Sequence, residues 1–302
     1  MTVYAGPWSW LFDASICFGA TPEATWAVGP AIVLPLLLVI LVYGSGAMRL
    51  WRRSARGRPE RLRQAGLFVA GWATLVFALV SPLHWLSQHL FTAHMIEHEL
   101  MMAVAAPLIA ASAPGAALMW ALPRGWRSAG GHMLRVKWLG AIWRFVSRGG
   151  IATILHGVAI WIWHVPGLFE AALREGPLHY LQHASFLGTG LLFWWVVLPH
   201  RGHDQRLGAS VMHLFLTSLH TTLLGVLLVL SPRLWYPANT TLSELWWLTP
   251  LEDQQLAGLV MWVPAGLVYG AAALWLAALW IRESGRAQPD PPHGDTYALR
   301  VR

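Results

Sequence analysis

The chain has 302 residues, 56% of them hydrophobic and only 12% charged, with 20 tryptophans and a net charge of +7. That balance excludes an ordinary soluble domain, in which about a quarter of residues are charged, and indicates a polytopic membrane protein. The positive excess is spread over several loops, so anionic lipid accounts for it and no nucleic-acid partner is implied.

The first 25 residues are rich in aromatics and lack both a basic n-region and a continuous apolar h-region. They read as a segment on the outer face of the membrane rather than a cleaved signal peptide. Cys17 is the only cysteine, which excludes an internal disulfide and any paired-thiol metal site. Apolar runs then follow at Ala31–Tyr43, Leu67–Val80, Ile151–Trp163, Phe186–Leu198, Leu214–Leu230 and Leu256–Ile281. Each approaches or exceeds the roughly 20 residues that cross a bilayer, and each must be helical to satisfy its own backbone. Gln88–Ala111 supplies a further span whose first turns are polar. After it, Pro107, Pro114 and Pro123 interrupt the apolar stretch, which argues against an eighth span. Between Met133 and Arg148, apolar residues recur at helical spacing among basic ones, the pattern of an in-plane surface helix over 133–148. Thr249, Pro250 and Glu252 form an N-cap, a first-turn proline and a capping-box acid, so a helix is expected to begin there.

The fold class expected is therefore all-α, a bundle of seven transmembrane helices over residues 26–282, followed by a cytoplasmic tail at 283–302. Basic residues orient it. Seven lie in Arg49–Arg63, six in Arg124–Arg148, two in Arg201–Arg206 and four from Arg282 onward, against only Arg174 and Arg233 in the opposite loops. The positive-inside rule then places the N-terminus outside and the C-terminus in the cytoplasm.

This topology gathers His84, His89, His94, His98, His164, His179 and His183 at the outer ends of the spans. His94 with His98, and His179 with His183, are spaced i, i+4, which puts two imidazoles one turn apart on one helical face and within reach of one ion. Met101 follows His94 by seven residues on nearly the same face, and thioether beside imidazole favours copper over the harder cations. Glu97 neighbours His94 in projection, either as a ligand or as the acceptor that orients a ring. Asp253 and Gln254 are placed to reach toward the same region. Deeper in the membrane, His156, His213 and His220 suit either a relay or hydrogen bonds between helices.

Several blocks in order, "HMIEHELMMAVAAPLI", "WHVPGLFEAAL", "LHYLQHASFLGTGLLFWW" and "LEDQQLAGLVMW", resemble the CtaG family of cytochrome c oxidase assembly proteins, described with the caa-type oxidases of bacteria. The resemblance runs from about Gly66 to Ile281. It implies a seven-span protein of the inner (plasma) membrane, with no enzymatic turnover, that matures a haem-copper oxidase at the copper step and has an oxidase subunit as partner. Carried over, the implied positions are His94, Glu97, His98, His164, His179, His183, Asp253 and Gln254. Copper is the expected cargo, ahead of zinc or haem. A metal permease using His156, His213 and His220, a haem-binding electron carrier and a metal-free scaffold are the alternatives.

Overall fold

A computed structural model describes residues 26, 29–53, 57–123, 125–127, 137–199, 207–240 and 243–286. The N-terminal segment with Cys17, the start of the expected in-plane helix, the 201–206 loop and most of the tail lie outside the described residues. Among the described residues there are helices and no strand. The helices are α1 (Pro30–Arg53), α2 (Arg58–Val80), α3 (Pro82–Ser87), α4 (Phe91–Ala111), α5 (Gly115–Ala121), α6 (Lys137–Val146), α7 (Gly149–Trp163), α8 (Pro166–Arg174), α9 (Gly176–Val197), α10 (Leu207–Leu230) and α11 (Pro250–Arg286).

Four helices, α1, α2, α10 and α11, are long and apolar enough to cross a membrane, and the bent pairs α4–α5 and α6–α7 raise the number to as many as six. Although α9 has 22 residues, it is not among them, because His179, Gln182, His183, Ser185 and Thr189 interrupt its apolar sequence. The stretch after Pro114 does not form a span of its own: α5 has 7 residues, turns 71° from α4 and packs on α1. There Arg49 donates to the terminal carbonyls of Trp120 and Ala121, taking up two acceptors that the helix end leaves free. In the region of the expected in-plane helix, α6 meets α7 at 72° and leaves Trp138, Ile142, Trp143 and Phe145 exposed.

The turns follow from local chemistry. Gly57, at φ 77°, lets the chain enter α2 in the left-handed region. Ser81 accepts from the Leu83 amide and caps α3 ahead of Pro82. Within α4, residues Leu100–Ala105 form a π-helical turn. Pro107 cannot donate to the carbonyl of residue 103 and crowds it, and the wider turn just upstream absorbs that defect. The capping box is present at the start of α11: Glu252 Oε2 accepts from the Thr249 amide at 2.7 Å, and Thr249 Oγ accepts from the Glu252 amide at 3.3 Å.

Of the four apolar clusters among the described residues, two are largest. One joins Phe91, Met95, Met102, Phe169, Phe186, Tyr236 and Met261, and the other joins Phe193, Trp194, Leu214, Tyr269 and Leu276. Helices α10 and α11 cross closely. A Cβ added at Gly225 would stand 2.8 Å from the Gly258 carbonyl oxygen, and one added at Gly258 would stand 2.7 Å from that of Gly225. Both contacts are to backbone, which cannot swing aside, so the two helices must separate to admit a methyl group. Gly258→Ala is therefore expected to cost about 1–3 kcal/mol, read as a lowered melting temperature of the detergent-solubilised protein. An unchanged melting temperature would show that the crossing is looser than this geometry.

Candidate metal centre

At one end of the bundle the i, i+4 pairs come face to face. In α4, His94 and His98 have ring centroids 4.2 Å apart, and in α9, His179 and His183 are 4.3 Å apart. Across the helix interface His98 lies 5.3 Å from His183 and His94 lies 5.7 Å from His179. Two imidazoles sharing an ion through metal–nitrogen bonds of about 2 Å have centroids roughly 5–6 Å apart, so these cross-helix separations suit a shared ion. His84 of α3 joins them, 5.6 Å from His179 and 6.0 Å from His183. Among the described residues no three His, Cys, Asp or Glu side chains already close on one point as a finished chelate. The cluster is thus a set of facing imidazole pairs.

The rings are buried and their orientation is determined on one side. The Nδ1–H of His94 donates to the Ser87 carbonyl at 3.0 Å, and that of His164 to the Ile160 carbonyl at 2.7 Å. Each bond turns the other nitrogen inward as the acceptor. Nε2 of His94, His98, His164, His179 and His183 is buried without a protein partner, as is Nδ1 of His98. A buried, unpaired polar atom ordinarily costs about 1–3 kcal/mol, and five such imidazole nitrogens in one place are what a borderline or soft transition ion would satisfy. The donor chemistry therefore fits copper or zinc.

Glu97, fully buried, accepts from His84 Nδ1 at 2.6 Å through Oε1, while Oε2 has no protein partner. Burial pushes the pKa of His84 down, but the charge of Glu97 and its hydrogen bond outweigh that and hold it above the ordinary histidine value. His164, at the end of α7 and without a carboxylate, is lowered by burial to about 4. Phe169 of α8 closes the cluster from the side, 4.9 Å from the His94 ring. The segment between the fourth and fifth expected spans is therefore not only a connection: its α8 buries Phe169 and Ala172 over the histidines, with Pro166 pre-set for its first turn.

The other expected residues are placed differently. Met101 packs with Leu75, Ala78 and Ala105 on the α2 side. It also lines, with His183, an apolar cavity of about 620 Å³ between α1, α2, α4 and α9. Met95 and Met102 belong to the aromatic core. Asp253 does not reach the rings. It accepts from the amides of Phe91 and Thr92, both at 2.9 Å, and from the Thr92 hydroxyl at 2.6 Å, capping the helix that carries His94. Gln254 accepts from the Trp235 amide at 2.6 Å and donates to the Arg233 carbonyl at 3.0 Å, fastening the loop before α11.

Deeper in the bundle, His156 has both ring nitrogens engaged, at 3.1 Å with Thr189 and at 3.5 Å with the Tyr269 hydroxyl. His213 bonds Thr153 at 3.1 Å, and His220 packs on Gly157 with both nitrogens lacking a protein partner. Two further residues stand at the site: His84, which is one of the outer histidines but not among the expected ligands, and Gln182, fully buried one residue before His183, with neither its side-chain oxygen nor its nitrogen paired.

The described residues form an all-helical membrane protein with four to six candidate spans and a buried cluster of imidazoles. Residues 41–283 match the family of cytochrome c oxidase caa3 assembly factors, and the chain belongs to that family. It is also similar to uncharacterised proteins of Mycobacterium bovis and Mycobacterium tuberculosis, 23% identical to each over 278 residues. The match covers 90% of this chain but 42% of those longer relatives. No solved structure matches it.

Proposed function

We propose that the protein is a copper-binding assembly factor for a haem-copper cytochrome c oxidase. It crosses the bacterial inner membrane seven times with its N-terminus outside, and it hands copper as cargo to an oxidase subunit without catalytic turnover. The observation that carries this reading is the meeting of His94 and His98 with His179 and His183 across α4 and α9, with every Nε2 buried and unpaired. His164 completes the imidazole set, Glu97 brings a negative charge to it, and Met101 stands where the apolar cavity reaches His183. Facing pairs rather than a closed cage suit a cargo ion that must leave by ligand exchange. The hydrogen bonds of His156 and His213 between helices favour this reading over a permease, and the engagement of both His156 nitrogens disfavours a haem ligand there.

Deleting the gene in its host and purifying the oxidase tests the proposal. The expected oxidase is present with its haem but depleted in copper, restored by the native gene and not by one lacking the four paired histidines. An oxidase with its full copper complement in the deletion strain would sink it.

A further inference from the structure

We propose that His84 is a further ligand of the same ion and that Glu97 is its orienting acceptor rather than a ligand. This deepens, and rests on, the copper reading above. The His84 side chain is buried, and its ring lies parallel to that of His179 at 5.6 Å and 6.0 Å from that of His183. These are separations at which two imidazoles share an ion through bonds of about 2 Å. Its Nδ1–H is committed to Glu97 at 2.6 Å, so Nε2 is the nitrogen left for an ion. His94 and His164 repeat the arrangement, with Nδ1 tied to the Ser87 and Ile160 carbonyls. A histidine whose far nitrogen donates to a carboxylate or carbonyl is the usual form of a metal-binding imidazole, because the acceptor selects the tautomer, fixes the ring plane and raises the basicity of the ligating nitrogen.

The local fold is built around this ring. Ser81 caps the six-residue α3, Ser87 Oγ donates to the His84 carbonyl at 2.8 Å, and the Ser87 carbonyl receives His94. One short turn of chain thus delivers both a ring to the cluster and the acceptor that orients a second ring. A carboxylate one bond removed also offsets the positive charge of an ion in a low-dielectric site. If His84 and Glu97 were only a structural pair joining α3 to α4, nothing would require the ring to lie within 6.0 Å of two other histidine rings.

The test separates the two roles of His84. In His84→Asn the amide nitrogen takes the position of Nδ1 and still donates to Glu97, but no second nitrogen remains. Full-length protein in detergent is titrated with cuprous ion against a chromophoric chelator, beside His84→Ala, Glu97→Gln and the variant with alanine at His94, His98, His179 and His183. The expected result is that His84→Asn and His84→Ala weaken binding alike, by about tenfold or more, and Glu97→Gln by about tenfold. X-ray absorption of the copper-loaded native chain should count one more imidazole nitrogen than in His84→Asn. If His84→Asn does not fold, nitrogen-15 histidine spectra of the native chain loaded with silver(I) decide: the ring bonded to Glu97 should show its Nε2 shifted. Native-like binding by His84→Asn, or an Nε2 that silver leaves unmoved, would overturn the inference and leave the copper reading intact. Equal binding by the native and four-alanine proteins would instead bring down the copper reading itself.

Discussion

A protein carrying alanine at His94, His98, His179 and His183 together should emerge from copper loading and desalting with no retained copper, where the native chain holds it near a stoichiometric amount. The expected fall in affinity exceeds the 10- to 100-fold that loss of an orienting partner alone produces, because both cross-helix pairs lose their nitrogens. The substitutions enlarge the space between α4 and α9, but they also remove buried nitrogens that have no protein partner, so the two effects on stability oppose each other. The folded state of the variant is checkable by gel filtration and helical circular dichroism, and elemental analysis then reads the metal. Equal copper in the two proteins would mean that the paired histidines pack and hydrogen-bond without binding an ion, which is the scaffold reading.

The histidine pairs are legible in the sequence because a helix brings i and i+4 together whatever the rest of the chain does. The capping box at Thr249 and Glu252 is legible for the same reason, since both partners lie within one turn. Where an assignment depends on a meeting between distant segments, the sequence is silent. Glu97 has no local signal that it will take the Nδ1–H of His84 in another helix. Asp253 has none that it will serve the amides of Phe91 and Thr92 instead of reaching the rings. Met101 illustrates a third case. Its alignment with His94 along one helix carries no signal of which neighbouring helix it will pack on, and it meets Leu75 and Ala78 of α2. α9 differs for a compositional reason: the polar residues that make it part of the site are the ones that remove it from the apolar spans.

Asp253→Asn is expected to destabilise the protein by about 1–3 kcal/mol, the range for leaving a buried hydrogen-bonding group without its partner. Asp253 is fully buried, and its carboxylate accepts from the first amide of α4, from the next amide and from the Thr92 hydroxyl. It also sits in the first turn of α11, so the positive ends of two helix dipoles converge on one charge and offset its burial. Asparagine has nearly the same shape but presents an N–H₂ group to donors at one of the two oxygen positions and carries no charge for either dipole. The first turn of α4 should then fray, and the fraying reaches His94 before any other ligand because it lies only two residues beyond Thr92. Two measurements therefore move together: the melting temperature falls, and copper retention falls with it even though no ligand has been changed. Glu252→Gln makes the matched control, since Glu252 caps α11 at an exposed position through Thr249 in its own turn. There the melting temperature is expected to change little, with copper retention unchanged. If Asp253→Asn melts like the native protein, the connection from α11 through the α4 cap to the histidines does not hold. If it melts early but keeps its copper, the cluster is positioned by α3 and α9 without help from that cap.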